Sequence, residues 1–190
     1  MAAMSERTPE REAPGTRAIR FEATLLRIAG RPLVRLPMEA SLQLPSRGQV
    51  AVTGTLNRRA FDAVLEPDGM RGHWLDVDTT LQQAVALGDG DAVEVELDVS
   101  TAWPEPEMPQ DLGAALADAP DASAIWEDIT PMARWEWVRW INATKNMQTR
   151  QRRVEVGISK LRSGKRRPCC FDLASCTDPE LSKSGKLIDA

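Results

Sequence analysis

The chain has 190 residues, 42% of them hydrophobic and 27% charged, a composition typical of a folded globular protein and well outside the disordered class. Its formal charge of −4 conceals two unlike parts: residues 1–130 carry 11 basic and 22 acidic side chains, or −11, and residues 131–167 carry 11 basic and two acidic ones, or +9. All three cysteines fall in the last 22 residues, which excludes a disulfide framework for the body of the chain and predicts reduced thiols.

Residues 1–17 mix Pro, Glu, Arg and Ser without periodicity, which predicts a flexible lead-in. They lack the apolar stretch of a signal peptide, and no run in the chain approaches the roughly 20 apolar residues that a membrane helix needs. We therefore expect a cytoplasmic protein with no membrane span.

Residues 18–100 have the pattern of a small β-barrel domain. Apolar and polar residues alternate near both ends of this range, as in half-buried strands, and Asn57 with Arg58 and Arg59 predicts a hairpin turn. Gly54, inside an otherwise β-branched run, predicts a bulge or a place of close backbone approach. Six strands are predicted, over 18–25, 33–36, 49–56, 61–65, 73–77 and 92–99, with turns every 8–12 residues.

A Pro-rich stretch at 101–109 predicts a linker and a domain boundary. Beyond it the apolar residues recur with helical spacing, so residues 110–167 are expected to form an all-helical domain. Residues 168–190 return to small and polar types and predict a tail. The predicted fold class is therefore α+β, a small N-terminal β-barrel followed by a C-terminal helical domain.

Four helices are predicted in the second domain, the first two over 111–119 and 121–127. Thr130 is the expected cap of the third, with a proline at its first position, and Asn146 is the expected cap of the fourth. Gly164 is expected to end the fourth helix. On these helices the side chains predicted to face the core include Trp135, Val138, Ile141, Val154, Ile158 and Leu161, with Met147 on the same side as the last three.

No catalytic or metal-binding constellation is apparent in the sequence. His73 is the only histidine, and its neighbours on a strand face are Leu75 and Val77 rather than a carboxylate, so a structural role is expected. The glycines fit no phosphate-binding fingerprint, and the three cysteines lack the spacing of a zinc site. We therefore expect no enzymatic activity, no cofactor and no metal.

The basic segment allows two interpretations. Its cations could contact phosphates of a nucleic acid, using Lys145, Arg150, Arg153, Lys160 and Arg162. Alternatively, they could pair with the acidic barrel inside the molecule, which is the favoured interpretation.

The order of motifs in the helical part resembles the bacteriocin-protection, YdeI/OmpD-associated family. The matching residues are Thr130-Pro131, Trp140-Ile141, Lys145, Thr149-Arg150, Arg153, Leu161 and Gly164-Lys165, with Thr144 and Gln148 departing from the usual Ala and Glu. The first part resembles a small domain of unknown function that often precedes this family. Its matching residues are Phe21, Leu36-Pro37, Val52, Gly54 to Asn57, Phe61, Gly72-His73, Gly90-Asp91 and Val93.

The resemblance implies a barrel of the double-split type, similar in fold to swapped-hairpin transcription regulators, and an association with resistance to bacteriocins and cationic antimicrobial peptides. The expected function is that of a non-enzymatic interaction protein with a protein or cationic-peptide partner; a nucleic-acid-binding module is the alternative. The predicted binding residues are Trp140, Lys145, Thr149, Arg150 and Arg153. Cations near the start of a helix oppose its dipole, so we expect an acidic partner for them on the barrel or on a ligand.

Overall fold

A computed structural model describes residues 18–169 and 172–189. The predictions of a lead-in over 1–17 and of a reduced thiol at Cys170 lie outside these residues. Within them, a closed β-barrel is followed by a group of helices, which confirms the predicted α+β class.

Six antiparallel strands close the barrel in the order β1-β2-β5-β4-β3-β6, and β6 pairs back onto β1. Two short helices, α1 (Met38–Leu42) and α2 (Thr79–Ala84), connect strands along the chain. The strands are β1 (Ile19–Ile28), β2 (Arg31–Arg35), β3 (Val50–Leu56), β4 (Arg59–Pro67), β5 (His73–Asp76) and β6 (Ala92–Val99).

The barrel core follows from the period-two pattern of the sequence. Val93, Val95 and Leu97 of β6 are buried inside, as the alternation predicts, and the polar residues between them point outward. Gly54 is the place of close approach that we predicted, because a Cβ on it would lie 2.2 Å from the backbone oxygen of Glu96. Only a residue without a side chain lets β3 and β6 pair at this distance.

The helical part consists of α3 (Gln110–Ala117), α4 (Pro120–Asp128), α5 (Pro131–Asn142) and α6 (Met147–Arg162). Both predicted caps are confirmed: Thr130 Oγ1 accepts a hydrogen bond from the backbone N–H of Ala133 at 3.3 Å, and Asn146 Oδ1 accepts one from Thr149 at 2.9 Å. Gly164 follows α6 with a φ of +77°, a left-handed conformation that ends a helix readily.

The predicted core of the helices is confirmed for Val138 and Ile141 and for the predicted apolar face of α6 beyond its first turn. Two predictions for core residues are wrong. Trp137 fills the centre in place of Trp135, which is half-buried and turns toward the linker, and Met147 is 74% exposed. The helical period alone could not separate Trp135 from Trp137, because indoles two positions apart face different sides.

The described part of the predicted tail, residues 172–189, packs against the barrel, and we call it the C-terminal segment. It contains a small hairpin of β7 (Ser182–Lys183) and β8 (Lys186–Leu187). Its Cys176, Leu181 and Leu187 are buried in a cluster with residues on the outer side of the barrel, namely Ile28, Leu33 and Trp74. A large indole on an outward strand position is thereby removed from water.

Candidate functional site between the barrel and the helices

A cavity of about 410 Å³ lies where the barrel, the helices and the C-terminal segment meet, and we call it the interdomain cavity. Strands β2, β4 and β5 supply one wall, α5 and α6 a second, and residues 176–180 a third. Its apolar lining comes from Val64, Trp74, Trp135, Val138 and Cys176. Its charged lining consists of Arg31, Arg139 and Arg150 together with Glu66, Asp76, Asp178 and Glu180.

One side of the cavity is formed by an ion pair between α5 and the barrel. Arg139 Nε lies 3.2 Å from Glu66 Oε2, with only 5% and 20% of the two side chains exposed. Arg139 also donates to the backbone oxygens of Leu173, at 3.0 Å, and Ser175. Gln49 Nε2 donates to the other oxygen of Glu66 at 2.6 Å. One guanidinium group thus joins the helices, the barrel and the C-terminal segment.

Burial dominates the protonation of this pair. It raises the pKa of Glu66, against the opposing effect of Arg139, and it lowers the pKa of Arg139. Both directions mean that burial disfavours the two charged forms more than their mutual attraction favours them.

A second cation also lines the cavity. Arg31 of β2 donates hydrogen bonds to Asp76 of β5 and to Asp178 of the C-terminal segment. Its guanidinium carbon also lies 5.8 Å from the ring centre of Trp74, within the range of a cation–π contact. Arg31 is thus held by two carboxylates and one indole face.

The two tryptophans of the cavity differ in their contacts. Trp74 is 3% exposed, and its indole Nε1 is buried with no hydrogen-bond partner among the described residues. Trp135 is half-buried, and its Nε1 donates to the backbone oxygen of Pro104 in the linker at 2.7 Å. The linker therefore fixes the orientation of the Trp135 ring.

The lining carries three arginines and four carboxylates, a formal excess of one negative charge. Cys176 adds no charge, because burial raises the pKa of its thiol to about 11 and keeps it protonated at neutral pH. His73 lies elsewhere, buried in the barrel with Nε2 3.0 Å from the backbone oxygen of Gly48. The cavity is thus suited to holding an amphipathic group with a cationic end.

The five predicted binding residues lie in different surroundings. Arg150 lines the interdomain cavity, and Lys145 Nζ lies 3.2 Å from the cavity residue Glu180. Trp140 and Arg153 come together away from the cavity lining, with the guanidinium 5.6 Å from the ring centre and Arg153 Nη1 donating to the Trp140 oxygen at 2.7 Å. Thr149 is exposed, and its described contact is the backbone N–H that Asn146 caps.

The acidic partners of the basic segment come mainly from its own domain. Arg150 binds Asp111 of α3 through two nitrogens, at 2.6 and 2.9 Å, and lowers the pKa of that carboxyl. Arg162 binds Asp121 of α4, also lowering its pKa, and Arg166 binds Asp128. The expectation that the barrel neutralises the basic helices is wrong for these pairs.

Trp74, Glu66, Arg31 and Asp178 are the cavity residues that sequence reasoning missed. The available signal was Trp74, because a large apolar residue at an outward strand position requires a cover. The cover itself comes from residues 172–189, whose composition gave no sign of packing.

The helical part of the chain matches the family model described as bacteriocin-protection, YdeI or OmpD-associated, over residues 105–164. The barrel matches a domain of unknown function, DUF1905, over residues 21–97. A comparison with curated protein sequences found no match.

The interdomain cavity uses both matched regions of the chain, and its third wall lies beyond them. Trp74 falls in the DUF1905 match, Trp135 in the family match, and Asp178 in neither. Within the described residues, no helix is long and apolar enough to cross a membrane. In the same part of the chain, no His, Cys, Asp and Glu side chains are grouped in a way that could hold a metal ion.

Proposed function

We propose that this protein is a non-enzymatic, cytoplasmic interaction protein that binds a cationic peptide in its interdomain cavity, in a protective role of the kind that the family name states. The observation that carries the proposal is the cavity itself, which combines two indoles with an excess of carboxylates. Indole faces and carboxylates are the groups that attract ammonium and guanidinium ions in proteins.

The outer face of the barrel supports the same partner. Glu22 of β1 lies directly opposite Glu94 of β6, and Glu96 and Asp98 follow on the same strand face. Like charges in directly opposed positions destabilise a sheet, so a cationic partner nearby would relieve their repulsion. A negative surface also raises the rate at which a cationic peptide encounters the protein.

The proposal of a non-enzymatic role is supported by the protonation of the reactive groups. Cys176 lines the cavity as a neutral thiol, because its pKa is about 11. His73, the only histidine, is buried against Gly48, and burial lowers its pKa. Acyl-transfer chemistry would need a general base within reach of a nucleophile.

The nucleic-acid alternative receives less support from the contacts of its five named cations. Arg150 and Arg162 each bind an aspartate through both carboxylate oxygens, and Lys145 lies beside Glu180. Arg153 and Lys160 lie over the Trp140 ring, at 5.6 and 5.5 Å from its centre. Phosphate binding would have to replace these contacts.

Isothermal titration calorimetry tests the proposed function. The full chain is titrated with a short arginine-containing peptide and with a twin in which citrulline, which is neutral and similar in shape, replaces each arginine. We expect saturable binding of the cationic peptide, weaker binding of the twin, and loss of affinity as salt rises. Equal heats for both peptides, together with unchanged sensitivity of cells to cationic peptides after deletion and overexpression, would contradict the proposal.

A further inference from the structure

We propose that the interdomain cavity recognises one arginine or lysine side chain, whose cationic head lies on the face of Trp135. This inference rests on the proposed function, because it names the part of a cationic peptide that the site would read. The cavity volume of about 410 Å³ is in the range of sites for small ligands or single side chains, and far below what a folded domain would need.

The cavity already contains an internal example of the contact. Arg31 lies over Trp74 at 5.8 Å and donates to both Asp76 and Asp178. An indole face flanked by carboxylates is therefore a stable place for a guanidinium group in this cavity. The contact uses one cation for two carboxylates, which accounts for the local excess of negative charge.

Trp135 offers a second indole without such a cation. Within residues 18–169 and 172–189, the cation–π contacts fall on Trp74 and Trp140, and none falls on Trp135. The hydrogen bond from its Nε1 to Pro104 fixes the ring, so little ordering entropy is lost when a ligand binds to it. Val64 and Val138 also line the cavity and can pack against the methylene groups of a long cationic side chain.

The inference is tested by NMR of the isotope-labelled full chain, using the indole N–H signals, which are assigned by single substitutions. The probes are N-acetyl-arginine methylamide, its lysine counterpart, and N-acetyl-citrulline methylamide as the neutral control. We expect the two cationic probes to shift the Trp135 and Trp74 signals in a saturable way, and the citrulline probe to bind at least about tenfold more weakly.

Three variants give the site its controls. Trp135→Leu should weaken binding of the arginine probe about tenfold, whereas Trp135→Phe, which keeps an aromatic face, should retain most of the affinity. Trp103→Leu removes another half-buried tryptophan, which does not line the cavity, and should bind like wild type. Equal binding by wild type and Trp135→Leu would overturn the inference, as would equal losses in Trp135→Leu and Trp103→Leu.

The same variants separate this inference from the proposed function. If a cationic peptide binds wild type and Trp135→Leu equally well, the contact with Trp135 is overturned, and the proposed binding of a cationic peptide stands. If the arginine probe binds at Trp135 and no cationic peptide binds the chain, the inference about the cavity stands and the proposed function fails.

Discussion

The ion pair between Arg139 and Glu66 should hold the helices to the barrel, and its removal tests how the interdomain cavity is built. In Arg139→Met the side chain keeps much of its length but loses its charge, which leaves the Glu66 carboxylate without its cation. The variant also loses the hydrogen bonds to the oxygens of Leu173 and Ser175, so the C-terminal segment loses contacts to α5.

The expected loss is large because both side chains are buried, with 5% and 20% of Arg139 and Glu66 exposed. Removing one partner of a buried pair costs roughly 3–5 kcal/mol, a substantial part of the 5–15 kcal/mol that stabilises a typical domain. The double variant Arg139→Met with Glu66→Gln has no stranded charge. We expect it to be more stable than Arg139→Met alone by about 2 kcal/mol.

The loss should also depend on pH, with a sign that follows from Glu66. Burial raises its pKa in the folded protein, and losing Arg139 removes the interaction that opposes this rise. A carboxyl with a raised folded-state pKa contributes stability below its unfolded pKa, and this contribution is lost as pH rises through the folded value. The deficit of Arg139→Met relative to wild type should therefore grow as the pH rises above the ordinary pKa range of a glutamate.

Urea denaturation followed by circular dichroism at several pH values measures these quantities for wild type, Arg139→Met, Glu66→Gln and the double variant. The reasoning is refuted if the two single effects add within about 0.5 kcal/mol in the double variant. It is equally refuted if the deficit of Arg139→Met is independent of pH.

Four further predictions concern the scaffold, each measured by urea denaturation. Gly54→Ala should destabilise the barrel by about 1–3 kcal/mol, because its Cβ would lie 2.2 Å from a backbone oxygen. Gly157→Ala should stabilise the protein by up to about 1 kcal/mol, because this glycine lies mid-helix and the added Cβ would lie 3.9 Å from the nearest atom outside the helix backbone. Equal effects of the two alanine substitutions would contradict this reasoning. His73→Gln should reduce the loss of stability as pH falls below about 6.5, because the lowered pKa of the buried imidazole in wild type favours protonation of the unfolded chain. Parallel profiles of stability against pH for variant and wild type would refute this prediction. Asn146→Ala should cost about 1 kcal/mol through the lost cap, and a neutral result would show that the cap is dispensable.

Local chemistry made much of the fold predictable. The alternation over 92–99 is that of β6 itself, and Gly54 lies where the strands leave no room for a Cβ. Thr130 and Asn146 form the predicted cap hydrogen bonds. Each of these features depends on neighbours in sequence or on one rule of strand and helix geometry.

The interdomain cavity was not predictable in this way. Trp74 and Trp135 belong to different domains, and the third wall comes from the C-terminal segment, whose packing depends on Trp74, Leu33 and Ile28 across the chain. The charge pattern correctly predicts that the basic residues need acidic partners. The pattern does not predict where these partners lie, because Asp111 and Asp121 come near the basic helix only once α3 and α4 pack against α6.

A crystal structure of the full chain with a bound arginine-containing peptide tests the central claim most directly. The account predicts one arginine side chain in the interdomain cavity, with its guanidinium within about 6 Å of the Trp135 ring centre. A peptide bound instead along the outer barrel face at Glu22, Glu94 and Glu96, with the cavity unchanged, would contradict it.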